Sequence, residues 1–342
     1  MFRLPHAALA FGLTCIAFAA DSRPAFLQLL ERPRVALAPE TVPPVTTGGL
    51  AETAFSFATE IGQRVPGLLV QAPRLVEGAR RPAVIVLHGT GGNKEGQRPF
   101  LAELARAGFV AVAIDGRYHG ARTPAGPNAK SAAYVEAILR TFRTGKEHPF
   151  FFDTAWDVMR LIDYLETRAD VDPRRIGLIG FSKGGIETYL TAAVDPRVAV
   201  AVPCIGVQSF RWAMEHDSWQ SRIGTVQAAF DAAAKDSGVV QPGADFVRTF
   251  YERVAPGITG LFDGPAMLPL IAPRPLLAIN GEIDPRTPMP GLQECAAAAR
   301  AAYARAGATE KFVLHVQPNT GHKVLPESMT LAREWLVRWL QP

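Results

Sequence analysis

Ser182 stands in the hexapeptide Gly180-Phe181-Ser182-Lys183-Gly184-Gly185, which fits the pattern Gly-x-Ser-x-Gly. An apolar run, Arg175–Ile179, precedes it and a helical run follows. Such a turn from strand to helix must be tight, which excludes bulk at Gly180 and Gly184 and lifts the Ser182 hydroxyl above a helix N-terminus. A plain glycine-rich turn would carry the same letters; the buried strand before it favours a nucleophile. A serine hydroxyl attacks an acyl carbon only with a base beside it. Among seven histidines, His322 in Asn319-Thr320-Gly321-His322 follows the apolar run Lys311–Val316, so it is placed on a loop at the same sheet edge as Ser182. His315 lies inside that run and reads as a strand histidine, whereas His148 and His216 could line a pocket. The base needs an orienting carboxylate. Asp284 follows the apolar run Pro275–Ile279; Glu282, two residues earlier, reads as part of the turn, and Asp263 has no preceding strand. The loop His88-Gly89-Thr90-Gly91-Gly92 could supply a backbone N–H from Thr90. With the N–H of Lys183 it would hold a tetrahedral oxyanion. His88 reads as a loop anchor.

Positioning these groups requires a sheet whose strands end together. Pro82–His88, Phe109–Ile114, Arg175–Ile179, Arg197–Ile205, Pro275–Ile279 and Lys311–Val316 are continuous apolar runs, as in strands covered on both faces. Helical patterns separate them at Pro99–Gly108, Asp153–Ala169 and Ile186–Ala193, and Leu331–Leu340 closes the chain. This alternation predicts an α/β fold with a mostly parallel central sheet flanked by helices. Ala51–Glu60 and Val65–Ala72 read as a hairpin at the edge. Residues 206–274 break the alternation and read as a helical, cap-like insertion over the C-terminal sheet edge. Its aromatics, Trp212 among them, either line a pocket or pack the insertion down; packing is expected for all but one or two. Trp212 and Arg117 are the candidate substrate-binding residues. Asp153 and Asp157 are expected to cap and cover the surface of their helix.

The chain resembles the α/β-hydrolase superfamily, in the branch of dienelactone hydrolase-like and acetylxylan esterase-like proteins near the prolyl oligopeptidase catalytic domain. The likeness rests on His88–Glu95, on Ile114 to Gly120, on Arg175 to Gly185, on Ala272 to Asp284 and on Gly321-His322. The order Ser182, Asp284, His322 is that of the superfamily. The resemblance implies the α/β-hydrolase fold, and nucleophile, acid and base roles for those three residues. Dienelactone hydrolases use a cysteine where this chain has Ser182.

Composition bounds the remaining choices. The 342 residues are 48% hydrophobic and 20% charged, which excludes a disordered chain or a coiled coil. The net charge of +4 is scattered, so no nucleic-acid partner is expected. No apolar stretch is long enough for a membrane span. Three cysteines are too few for a disulfide framework or a zinc motif. Residues 1–19 read as a signal peptide, with Arg3, an apolar run from His6 and Ala17-Phe18-Ala19 before the cleavage point. A periplasmic or secreted protein follows from that reading. The expected organisation is a signal peptide over 1–19, an extended lead-in over 20–50 and one hydrolase domain over 51–342. The expected function is hydrolysis of a small-molecule or saccharide-linked carboxylic ester through an acyl-enzyme, a chemistry that needs no cofactor or metal. A serine peptidase or amidase, and a non-catalytic binding protein on the same scaffold, are the alternatives.

Overall fold

The computed structural model describes residues 22–73, 78–123 and 131–341. The segment read as a signal peptide lies outside the described residues. Ten strands form one sheet: β1 (Glu40–Thr41), β2 (Val45–Thr47), β3 (Leu50–Glu60), β4 (Gln63–Gln71), β5 (Arg81–Leu87), β6 (Val110–Ile114), β7 (Val171–Phe181), β8 (Val198–Cys204), β9 (Leu276–Gly281) and β10 (Phe312–Gln317). Their spatial order is β1-β3-β4-β6-β5-β7-β8-β9-β10, with β2 also on β3. From β6 to β10 all neighbours are parallel, whereas β1 to β4 add an antiparallel extension through β4 and β6. The hairpin of β3 and β4 is therefore built into the sheet. After β5 the chain moves to β6 on one side and returns to β7 on the other. The carboxyl ends of β5 and β7 thus form the switch point at which open α/β sheets hold ligands.

Helices are α1 (residues 22–30), α2 (Arg98–Arg106), α3 (Ala132–Thr144), α4 (Phe152–Thr167), α5 (Lys183–Val194), α6 (Phe210–Glu215), α7 (Gln220–Ile223), α8 (Gln227–Asp236), α9 (Ala244–Val254), α10 (Gly264–Met267), α11 (Met289–Arg305) and α12 (Pro326–Leu340). Alternate residues of β5 serve opposite faces. Ala83, Ile85 and Leu87 join a core with α4, α5 and α11, while Val84 and Val86 join a second core with α2 and α12. That is why the strand reads as unbroken apolar sequence.

Two expectations need correction. The lead-in is not extended throughout, because residues 22–30 are helical. Phe26 and Leu30, four apart and so on one helix face, are buried, and the Phe26 ring meets Phe152 at 5.0 Å and Phe262 at 4.9 Å. Asp153 and Asp157 are not surface residues, since both are buried and ion-paired. Arg117, a candidate substrate-binding residue, is held in an ion-pair cluster. It is 3% exposed, donates to both Asp157 oxygens (2.8 and 2.9 Å) and pairs with Glu60. Arg122 reaches the same Asp157 carboxylate at 2.6 Å. Two cations hold that carboxyl far below the usual carboxylate range against the burial that opposes it.

The insertion supplies α6 to α10. Phe210, Phe230, Phe246, Phe250, Tyr251 and Phe262 are all buried within or beneath it, so they serve as its packing. Cys204 and Cys295 are buried free thiols.

Candidate active site

Ser182 occupies the turn between β7 and α5 with φ 55° and ψ −110°. A non-glycine residue in this region costs about 1–3 kcal/mol, which the surroundings must impose. A methyl group at Gly180 would lie 2.2 Å from the Gly184 carbonyl oxygen, and one at Gly184 would lie 2.5 Å from the Leu87 oxygen. Bare glycines therefore let α5 begin directly against β5 and β7. The Ser182 N–H donates to Cys204 O (2.9 Å) and its carbonyl accepts from Ile186 N (3.1 Å), locking the turn.

His322 Nε2 lies 2.8 Å from Ser182 Oγ, and its Nδ1 lies 2.7 Å from Asp284 Oδ2. Asp284 Oδ1 accepts the Arg286 backbone N–H at 2.9 Å. The structure thus brings together three residues separated by up to 140 positions. Their loops are stitched to each other: Ile283 N donates to Thr320 O (3.1 Å), and Glu282, the rival carboxylate, accepts from Asn319 N (2.8 Å) as a turn anchor. Burial opposes the Asp284 charge, but the hydrogen bond and charge of His322, the Arg286 N–H and the Arg222 charge together outweigh it, and the carboxyl sits below its ordinary value. His322 is held below 6.5, first by burial and then by the charges of Arg222 and Arg286, against the pull of Asp284. The imidazole is therefore neutral at pH 7 and able to accept a proton.

The loop after β5 runs beside the serine. A methyl group at Gly89 would stand 3.5 Å from Ser182 Cβ. The Thr90 N–H has no acceptor among the described residues, and Lys183 is the first residue of α5, where an N–H lacks an intrahelical partner. His88 anchors this loop: Nδ1–H donates to Gly89 O (2.8 Å), Nε2 accepts from Gly116 N (3.0 Å), and burial pushes the imidazole down to about 4. The Lys183 side chain turns away from the site. It is 2% exposed, pairs with Glu187 and lies 5.5 Å from the centre of the Tyr134 ring. Trp212 stacks on His216 (4.3 Å, 7°) and leans on Gly291 of α11. No hydrogen bond or ring contact joins it to Ser182 or His322 among the described residues. His315 bonds Ser328 Oγ at 3.0 Å.

Sequence reasoning missed one residue. Arg222 of α7 is 2% exposed, and its Nη1 donates to Ser182 Oγ at 3.3 Å. Gln208 Oε1 (3.0 Å) and Ile205 O (3.1 Å) hold the rest of the guanidinium. Burial lowers it to about 10. Nothing around Arg222 in the sequence marks it, because its place depends on how the insertion folds back. Among the described residues, no group of three or more His, Cys, Asp or Glu could hold a metal ion.

The comparisons with known proteins bear on what this arrangement does. Residues 125–307, more than half of the chain, match the family model described as "Glucuronyl esterase, fungi". The chain belongs to this family. It is a carboxylic ester hydrolase with the α/β-hydrolase fold. YtaP of Bacillus subtilis (strain 168) is 28% identical over 291 residues, 81% of this chain and 84% of that protein. The 4-O-methyl-glucuronoyl methylesterase 1 of Sodiomyces alcalophilus is 28% identical over 162 residues, 46% of this chain but only 31% of the methylesterase. The acetyl xylan esterase from Paenibacillus sp. R4 superposes with a TM-score of 0.64 at 20% identity, covering 95% of this chain and 94% of that one, a likeness of fold. Among the described residues no helix is long and apolar enough to cross a membrane.

Proposed function

We propose that this family member cleaves saccharide-linked carboxylic esters through an acyl-enzyme on Ser182. The observation that carries the proposal is the continuous hydrogen-bonded line from Asp284 through His322 to Ser182, at 2.7 and 2.8 Å, ending on a strained serine at the sheet's switch point. In the forward half-reaction the Ser182 hydroxyl proton passes to His322 Nε2 as Oγ bonds the acyl carbon. The backbone N–H groups of Thr90 and Lys183 receive the oxyanion. His322 returns the proton to the departing alkoxide, and Asp284 stabilises the intervening imidazolium. Water then attacks the acyl-enzyme by the same route and releases a carboxylic acid. The saccharide part of the proposal draws on the named activities of the relatives, an acetyl xylan esterase and a glucuronoyl methylesterase. Residues 1–19 support export of the protein, with N-terminal sequencing of the exported form as its check.

The test is Ser182→Ala, assayed on a short p-nitrophenyl ester, acetylated xylan and methyl glucuronate, with a fluorophosphonate probe for the serine. Loss of turnover and of labelling is expected. An unchanged rate would overturn the assignment.

A further inference from the structure

Arg222 is a fully buried cation with no carboxylate in salt-bridge contact among the described residues. Burying an unpaired charge costs several kcal/mol unless a partner arrives. A guanidinium has five N–H donors. Three are engaged, with Gln208, Ile205 and Ser182. The donors left over lie beside the nucleophile. The direction of approach separates this group from the oxyanion loop. Thr90 follows β5 on one side of β7, whereas Arg222 comes from the insertion after β8 on the other side. It therefore faces a different part of a bound ester.

A second guanidinium lies close enough for its charge to act on both Arg222 and His322. Arg286 is half-buried, two residues after Asp284, and makes no salt bridge among the described residues. It lines a groove of about 530 Å³ with Gln220, Ser221, Gly224 and Pro285, between α7 and the acid loop. Asp217 also lies on this groove but is exposed. The Asp284 carboxylate is already committed to His322 and the Arg286 N–H. The site thus carries two cations and one spent anion.

Resting on the ester-hydrolase reading above, we infer that Arg222 and Arg286 form an anion subsite that selects esters bearing a free carboxylate close to the scissile carbonyl. The Arg222 position, in contact with Oγ itself, sets that distance at roughly one to three carbon atoms. A bidentate or bridging carboxylate would fill the leftover donors. The same contact makes short dicarboxylates competitive inhibitors.

The experiment compares monomethyl succinate with its neutral counterpart, methyl succinamate, by methanol release at low ionic strength. The wild-type protein should favour the carboxylate ester by at least about tenfold in kcat/KM, mainly through KM. Added salt should shrink this preference. Arg286→Met, at a half-exposed position, should bring the ratio of the two esters towards one, and Arg222→Met should do so further, with Arg222→Lys retaining part of it. A wild-type enzyme that handles the amide as well as the acid overturns the inference, whatever the variants do. Variants that slow both esters by the same factor overturn it as well, because Arg222 would then act only through Ser182. Failure of the serine-hydrolase reading looks different: methanol release would persist in Ser182→Ala.

Discussion

The Asp284 carboxylate makes two contacts that an amide cannot copy together. Oδ1 accepts the Arg286 backbone N–H at 2.9 Å, and Oδ2 accepts the His322 Nδ1–H at 2.7 Å. In Asp284→Asn the backbone donor keeps the amide oxygen, so the amide nitrogen turns towards Nδ1. Two N–H groups cannot face each other, and the imidazole must shift its proton to Nε2. Nε2 then donates to Ser182 Oγ instead of accepting from it, and the base is lost. The same tautomer reversal in a Ser-His-Asp hydrolase lowers kcat by about 10⁴, or about 5.4 kcal/mol of transition-state stabilisation. Asn matches Asp in volume and the side chain is fully enclosed, so the fold should persist. Steady-state kinetics on a short p-nitrophenyl ester, with a thermal melt alongside, measure both parts. The expected outcome is a fall in kcat near 10⁴ with KM little altered and a melting temperature close to that of the parent. A variant that keeps kcat within about tenfold would refute the argument, because Asp284 would then not set the tautomer of the working base.

The pH profile of kcat/KM should lose its acid limb at a midpoint below 6.5. The neutral imidazole is the active form, and burial together with Arg222 and Arg286 lowers the His322 pKa; an inflection above 6.5 would contradict this. Asp157→Ala should destabilise the protein by about 3–5 kcal/mol in urea denaturation, because Arg122 loses its carboxylate and Arg117 keeps only Glu60. The Asp157 pKa is depressed on folding, so its contribution is present above the unfolded value of 3.8 and is lost as pH falls through the folded value. Parent and variant should therefore converge in stability at strongly acid pH, and a gap that stays constant with pH would count against the buried ion pair.

Much of the frame could be read before any coordinates. Each of Ser182, Asp284 and His322 lies within six residues of the end of an apolar run, and parallel strands bring such positions to one edge. His88 and Glu282 were likewise separable from the reacting groups by their places in turns. The charged residues were harder. Asp153, Asp157 and Arg117 carry side chains that usually meet water, yet here Asp153 pairs with Arg32, and Arg117 pairs with Asp157 and Glu60, all beneath the sheet extension formed by β3 and β4. Lys183 sits next to the nucleophile in the chain, but its helix directs the side chain inward to Glu187. Helix α1 hid in a proline-rich stretch because its apolar face is short, with Phe26 and Leu30 fully buried and Ala25 and Leu29 half-buried beside them.

By itself the sequence determined the strands, their separation by helices, and the residue types that end them. These are local properties: apolar period, glycine at a tight turn and the order of motifs. Only the tertiary structure decided which charges were buried and which group meets Ser182 besides His322. Arg222 lies 40 positions from Ser182 in the chain and 3.3 Å from it in space. That contact depends on how the insertion over 206–274 packs its aromatic residues onto the sheet, a cooperative outcome of many weak contacts that no local pattern encodes.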